Sequence, residues 1–174
     1  MNLLHDIEPG TAEEMNVIIE VPKGSHNKYE IDKATGLIAL DRVNYSAAPC
    51  PFDYGFVPRT LWEDGDALDV IVLTTYPLAV GVLVAARPVA ILEMIDTGES
   101  DAKVIAVPVE DRRWEEVRDL ADLNKHTLKE IQHYFETYKQ LKGKPAEVVV
   151  VGFKGKTEAV AAFERARKMY DEKK

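Results

Sequence analysis

The chain has 174 residues, with 22 basic and 30 acidic side chains and a formal net charge of −8 at pH 7. That length predicts one domain over residues 1–174 with a substantial core, and the acidic balance argues against a duplex-binding protein, which needs a basic surface. No apolar run is long enough to span a membrane, the N-terminus lacks signal-peptide features and the single cysteine excludes an internal disulfide, so we expect a cytoplasmic protein.

The first two thirds of the chain predict a β-rich region. Short β-branched runs are separated by turns that contain Gly, Asp or Pro, a pattern typical of a twisted antiparallel sheet or a small barrel. The predicted strands are Val17–Pro22, Lys28–Asp32, Leu37–Val43, Val70–Thr74, Val80–Ile95 and Val104–Val109.

The last third predicts a helix, a strand and a second helix. The first helix, Lys125–Lys142, has apolar residues at steps of three and four, and Gly143 supplies its stop signal. A buried strand follows at Glu147–Val151, and the second helix runs from about Thr157, its N-cap, to Tyr170. The predicted inward-facing residues are Leu128, Ile131, Phe135, Tyr138, Leu141, Val160, Phe163 and Tyr170. The fold class is therefore α+β: a small twisted antiparallel β-barrel, OB-like, with two covering C-terminal helices.

The most distinctive local feature is an acidic loop, Asp64-Gly65-Asp66-Ala67-Leu68-Asp69, which leads into a predicted strand. Its three carboxylates repel one another unless a cation lies between them, and Gly65 permits a turn tight enough to bring Asp64 and Asp66 together. Oxygen ligands without His or Cys suit Mg²⁺, Mn²⁺ or Ca²⁺. For this loop alone, a solvated acidic turn is an equally good interpretation. An EF-hand fails because Asp69 and Thr75 stand where Gly and Glu are required.

A second acidic cluster, Asp96-Thr97-Gly98-Glu99-Ser100-Asp101, also lies in a turn between predicted strands, with Lys103 close behind it. Two carboxylate clusters at neighbouring strand ends could converge on a pair of cations, which is the arrangement that activates water for a displacement at phosphorus. Lys28 and Glu30 share one face of a strand because side chains alternate along it. Taken alone, these two residues are better explained as a surface ion pair.

Together these segments resemble soluble family I inorganic pyrophosphatases, especially prokaryotic and archaeal members. The acidic loop and the valine after it match the signature of that family, and the similarity extends from roughly residue 3 to residue 170. The other matching segments, in the order of the family, are IEVPKG (19–24), NKYEID (27–32), LDRV (40–43), PFDYGF (51–56), RPV (87–89), MID (94–96), DAKV (101–104), AVP (106–108) and the HYF and YK of 133–139. The resemblance implies hydrolysis of pyrophosphate to two orthophosphates by Mg²⁺-activated water.

The resemblance also implies a role for each matching site residue. The first metal would be bound by Asp64, Asp69 and Asp101, with Asp69 shared by a second metal and Asp66 orienting or deprotonating the water between them. Further metal would be held by Asp96, Asp101 and Glu30, and Glu20 would support the site. The phosphate oxygens would be bound by Lys28, Arg42, Lys103, Tyr138 and Lys139, with Tyr54 lining the pocket.

The implied cofactor is Mg²⁺, several ions per site, with Mn²⁺ or Co²⁺ as substitutes. The implied partners are pyrophosphate and further copies of the chain in a homo-oligomer, often a hexamer in prokaryotic relatives, without nucleic acid or membrane.

Two positions depart from the family pattern. Ala67 replaces a proline, which leaves the loop less rigid, and Cys50 replaces a tyrosine, so that a pocket hydroxyl is missing.

The alternative to an enzyme is a non-enzymatic module that binds divalent cations or single-stranded nucleic acid. A nucleic-acid module would need a basic groove with stacking aromatics, which the net charge of −8 opposes. A cation buffer would need a self-contained loop and would have no use for Lys28, Arg42 and Lys139. Release of phosphate from pyrophosphate separates these hypotheses.

Overall fold

Within residues 1–143 and 148–173, which this computed structural model describes, the β-branched runs form strands and the two helical patterns form helices. The strands are β1 (Met15–Val21), β2 (Asn27–Ile31), β3 (Ile38–Val43), β4 (Asp53–Phe56), β5 (Asp69–Val72), β6 (Leu83–Asp96), β7 (Glu99–Ser100), β8 (Lys103–Pro108) and β9 (Val148–Gly155). The α-helices are α1 (Lys125–Thr137) and α2 (Lys156–Lys173). In this part of the chain, no helix is sufficiently long and apolar to cross a membrane.

Five strands form a closed ring in the order β1, β4, β5, β8 and β6, because β6 also pairs with β1. The hairpin of β2 and β3 is a separate two-stranded sheet, while β7 and β9 pair with β6. Most pairings are antiparallel, but β5 and β8 pair in parallel, with Asp69 opposite Lys103. The parallel pairing brings the first residues of both strands to one end of the ring. The α+β class, with its twisted ring of strands and two C-terminal helices, is confirmed.

The core fills the inside of the ring and the space beneath the two helices. Helix α2 buries Phe163 and three alanines against a cluster that includes Val17, Val70 and Val104. Helix α1 buries Ile131 and Phe135 against a second cluster, in which the ring of Phe135 stacks on Phe52 at 5.5 Å between centroids. Burial of large apolar side chains is the main favourable contribution to such packing.

Two strands were not predicted from the sequence. The first, β4, contains Gly55, and a Cβ at that position would lie 2.0 Å from the carbonyl oxygen of Ile18 in the neighbouring strand. Glycine therefore marks a close approach of two backbones and not a turn, which is why the alternation rule missed this strand. The second, β7, has only two residues and lies inside the turn predicted between Asp96 and Asp101.

Both helices differ from their predicted bounds. Helix α1 ends at Thr137, and a 3₁₀ turn, Gln140–Lys142, follows it. As a result Leu141, predicted to face inward, is 70% exposed. Helix α2 already begins at Lys156, so Thr157 is not its N-cap. The carboxylate of Asp119 instead accepts a hydrogen bond from the Lys156 backbone N–H at 2.9 Å.

The predicted strand at residues 147–151 is present as β9 from Val148 onward, whereas its first residue, Glu147, lies outside the described residues.

Candidate active site

A cavity of about 790 Å³ lies where β5 and β8 begin and β6 ends. It gathers twelve of the thirteen residues that the sequence assigned to the site. They are Glu20, Lys28, Glu30, Tyr54, Asp64, Asp66, Asp69, Asp96, Asp101, Lys103, Tyr138 and Lys139. The thirteenth, Arg42, does not line the cavity, but its guanidinium lies 5.8 Å from the centre of the Tyr138 ring. The strand ends therefore bring residues from distant parts of the chain to one place.

The centre of the site is the buried ammonium group of Lys103, which is only 3% exposed. Its Nζ lies 2.8 Å from Asp69 Oδ2, 2.8 Å from Asp101 Oδ1 and 2.9 Å from the hydroxyl of Tyr54. Burial alone would lower the pKa of Lys103, but the charges of Asp69 and Asp101 outweigh it and raise that pKa. Lys103 is therefore a fixed cation that holds the two carboxylates together.

The acidic loop is shaped by its own backbone. Gly65 has a φ of 85°, a left-handed conformation that favours glycine, and the carboxylate of Asp64 accepts a hydrogen bond from the Asp66 backbone N–H at 3.0 Å. This turn places Asp64 and Asp66 beside the cavity, next to Asp69 at the start of β5. The loop thus brings its three carboxylates to the wall of one cavity.

Several of these carboxyl groups are destabilised in their charged form. Burial raises the pKa of Asp64 to about 6, and the charges of Asp69 and Asp101 add to the effect. Burial together with the charge of Asp69 raises the pKa of Glu20 to about 8. The side chain of Glu20 is held in place because its Oε1 accepts a hydrogen bond from the Ile31 backbone N–H at 3.0 Å. A cation placed among these groups would offset both the energetic cost of burying their charge and the repulsion between them.

On the other side of the cavity, Asp96 and Lys139 form an ion pair. Burial by itself would raise the pKa of Asp96, but the hydrogen bond and charge of Lys139, with smaller contributions from Thr97 and Lys103, together outweigh it and the pKa is lowered. The hydroxyl of Thr97 donates a further hydrogen bond to Asp96 Oδ1 at 3.0 Å. Asp96 is therefore ionised at neutral pH.

The hairpin of β2 and β3 carries the remaining charged groups. Lys28 and Arg42 lie opposite each other in the ladder, and Lys28 bonds Glu30. Both cations share one carboxylate that the sequence analysis did not assign, since Asp41 Oδ2 lies 3.4 Å from Lys28 Nζ and 3.0 Å from Arg42 Nη1. A segment containing Asp41 had been matched to the family, but only the strand register shows that it links two predicted phosphate ligands.

A second unpredicted partner is Lys33, which follows β2. Its Nζ lies 2.5 Å from Asp66 Oδ1, although both side chains are more than half exposed. Thirty-two residues lie between Lys33 and Asp66 in the sequence, so no local spacing pattern predicts this pair. Lys33 is therefore a cation next to the predicted general base.

The residues fit divalent cations by their chemistry. The carboxylates supply only oxygen donors, the ligands that Mg²⁺ prefers, and burial, followed by the charges of neighbouring carboxylates, raises the pKa values of Glu20 and Asp64. Across residues 1–143 and 148–173, no three acidic, His or Cys side chains are already arranged around one ion position. Lysines contact the carboxylates instead, as Lys103 and Lys139 do.

Comparison with known proteins relates nearly the whole chain to one protein family. The sequence model of the family described as "Inorganic pyrophosphatase" matches residues 17–171. An inorganic pyrophosphatase of Geobacillus stearothermophilus is 51% identical over 77% of this chain and 81% of its own length. One from Haloferax volcanii is 45% identical over 99% of this chain and 98% of its own length.

The fold agrees as well. The crystal structure of the inorganic pyrophosphatase from Thermus thermophilus superposes with a TM-score of 0.93 and is 45% identical in sequence, covering 98% of this chain and 99% of that one. The resemblance inferred from the motifs is thus confirmed over sequence and structure alike. The chain belongs to the inorganic pyrophosphatase family.

Proposed function

We propose that the charged cavity is the site at which this chain hydrolyses inorganic pyrophosphate to two orthophosphates with the help of Mg²⁺. Hydrolysis of pyrophosphate follows from membership of the family, which is metal-dependent. The observation that carries the assignment to this cavity is the clustering of acidic and basic side chains around one buried cation, Lys103. The alternative of a non-enzymatic cation or nucleic-acid module is not favoured.

The acidic residues would hold the metal ions. Asp64, Asp69 and Asp101 would hold the first, Asp69 would be shared with the second, and Asp96 and Glu30 would contribute to further ions. Glu20 would support the site, and its charge interacts with that of Asp69. Bound cations of this kind lower the pKa of water and offset the charge of a polyanionic substrate.

The carboxylate of Asp66 would act on the attacking water. It lies on an exposed loop beside the cavity, and Lys33 fixes Oδ1 by its ion pair. Oδ2 would then accept the proton as the water attacks phosphorus. A positioned general base of this type typically contributes a rate factor of about 10² to 10⁴.

The basic residues would bind the phosphate oxygens. Lys28, Lys139 and Lys103 are each bonded to a carboxylate on the cavity wall, so the substrate would exchange places with those partners. Tyr54 and Tyr138 would complete the pocket. Burial raises the pKa of Tyr54, and this keeps its hydroxyl protonated as a hydrogen-bond donor. Stabilisation of charge on the leaving phosphate by such fixed groups is usually the largest catalytic contribution.

We further propose that the chain forms a single domain over residues 1–174, works in the cytoplasm and assembles as a homo-oligomer, a hexamer by family resemblance. Exposed apolar side chains on β9, Val149 at 58% and Val151 at 60%, support assembly because an isolated protomer would leave them in water. Light scattering coupled to gel filtration measures the mass directly, and a monomer would contradict the assembly.

One assay tests the reaction and its metal requirement together. Orthophosphate release is measured from pyrophosphate with Mg²⁺, with Mg²⁺ plus a chelator, and with ATP in place of pyrophosphate. We expect release from pyrophosphate with Mg²⁺, its loss with chelator, and a much lower rate on ATP. Release that is absent, or that does not depend on Mg²⁺, would refute the proposal. Mn²⁺ and Co²⁺ are tested in the same format as substitutes.

A further inference from the structure

One part of the cavity wall has no role in the reaction as described so far. It is formed by Tyr134 on α1, Cys50 before β4 and Asn44 after β3, and all three side chains line the cavity. The hydroxyl of Tyr134 interacts with the Cys50 thiol. These residues are uncharged, in contrast to the carboxylates and lysines on the other walls.

The position of Tyr134 places it beside predicted phosphate ligands. Tyr138 follows it by four residues as the C-cap of α1, so both side chains lie on the same side of the helix, with ring centroids 5.5 Å apart. The guanidinium of Arg42 lies over the ring of Tyr138, 5.8 Å from its centre. Phe52 packs edge-on against the ring of Tyr134 at 5.5 Å and fixes its orientation.

The Cys50 thiol is a poor acceptor for the proton of the Tyr134 hydroxyl. The Cys50 side chain is 2% exposed, burial raises the pKa of its thiol to about 11, and a protonated sulfur is a weak acceptor. The thiol donates its own proton to the Phe52 carbonyl at 3.2 Å. A phosphate oxygen is a far stronger acceptor, so a substrate in the cavity would attract the phenolic O–H away from sulfur.

The surroundings favour a hydroxyl that donates and stays neutral. Burial raises the pKa of Tyr134, so its proton is retained at neutral pH. Next to it, the Asn44 side chain interacts with the Tyr134 hydroxyl in the opposite sense to burial and lowers its pKa in part, as an N–H group that donates to the phenolic oxygen does. An amide N–H donated to the phenolic oxygen leaves the phenolic proton free to be donated to another acceptor.

We propose that Tyr134 is a substrate-binding residue whose hydroxyl donates a hydrogen bond to a phosphate oxygen of pyrophosphate. It supplies from helix α1 the pocket hydroxyl that position 50 lacks in this chain. The inference rests on the proposed function, because it concerns the same cavity and substrate. No bond is made or broken by Tyr134.

The test compares Tyr134→Phe with wild type, since this change removes one oxygen and keeps the ring. A hydrogen bond to a charged acceptor predicts an increase of about 10- to 100-fold in KM for pyrophosphate, with a smaller change in kcat. The dissociation constant of imidodiphosphate, a non-hydrolysable analogue, measured calorimetrically with Mg²⁺, should rise by a similar factor. The control is Tyr76→Phe, because Tyr76 is 70% exposed and packs against Arg113 away from the cavity.

A second variant tests whether the hydroxyl itself matters. The double variant Cys50→Tyr/Tyr134→Phe carries the hydroxyl at position 50 and not at position 134. We expect its KM and analogue affinity to recover toward the wild-type values. A Tyr134→Phe protein with KM and analogue affinity within about twofold of wild type would overturn the role of Tyr134 while leaving the proposed function intact. A wild-type protein that releases no phosphate would overturn the proposed function itself.

Discussion

Replacing Lys103 by methionine removes the one buried cation at the centre of the site while keeping the length of the side chain. In wild type its Nζ contacts Asp69 and Asp101 at 2.8 Å each, and the side chain is 3% exposed. Deleting one partner of a buried ion pair leaves uncompensated charge and costs about 3–5 kcal/mol. We therefore expect the metal-free Lys103→Met protein to lose about that much free energy of unfolding.

The same structure predicts that Mg²⁺ compensates part of this loss. A divalent cation among Asp69, Asp101 and their neighbours would replace the missing positive charge, so Mg²⁺ should stabilise the variant more than it stabilises wild type. Turnover should still fall, because Lys103 is a proposed phosphate ligand. Urea unfolding at neutral pH, with saturating Mg²⁺ and with chelator, measures the free energy in each state.

The matched control is Lys154→Met, because Lys154 pairs with Glu93 at 3.0 Å but is 51% exposed. Exposed pairs contribute about 0–1 kcal/mol, so this variant should behave like wild type with and without Mg²⁺. A loss below about 1 kcal/mol in metal-free Lys103→Met, or an equal effect of Mg²⁺ on variant and wild type, would show that Lys103 does not compensate the charges of Asp69 and Asp101.

Three other predictions concern the base, the buried acid and the fold. Asp66→Asn should leave calorimetric Mg²⁺ binding nearly intact while lowering kcat by about 10²- to 10⁴-fold, and wild-type turnover would remove Asp66 from the role of base. Glu20 has its pKa raised from 4.5 to about 8, so the folded state holds a proton that the unfolded state loses, and the free energy of unfolding of metal-free protein should fall as pH rises through that window. Glu20→Gln should flatten this dependence in pH-resolved urea unfolding, and an unchanged slope would contradict the assignment. Gly55→Ala should destabilise the protein by about 2 kcal/mol or more in thermal unfolding, because its Cβ would meet the Ile18 carbonyl; an unchanged Tm would argue against the close approach of β1 and β4.

The elements that were predicted correctly are those specified by a pattern within their own residues. The β-branched runs of β1, β5 and β8 read directly as strands, and the apolar spacing of α1 read as a helix. Strand β4 was missed because its conformation depends on pairing with β1 and β5 and not on its own pattern, which is interrupted by Gly55. The start of α2 was misplaced because its cap comes from Asp119, 37 residues away.

The candidate site divides in a similar way. Residue types and family motifs predicted which side chains meet in the cavity, since carboxylates and lysines at strand ends converge once the ring closes. Their partners could not be read from spacing. Asp41 joins Lys28 to Arg42 through a hairpin whose register shifts between Lys28 and Tyr29. Lys33 pairs with Asp66 on the cavity wall. Pairings of this kind depend on three-dimensional register, which a linear pattern does not specify.

The amount of orthophosphate released from pyrophosphate as Mg²⁺ is titrated into metal-free protein tests most directly whether the cavity is a metal-dependent hydrolytic site. We expect negligible release at the start, a rise with Mg²⁺ to two orthophosphates for each pyrophosphate consumed, and reversal by chelator. Release that proceeds undiminished in chelator, or pyrophosphate that stays intact at saturating Mg²⁺, would contradict this expectation.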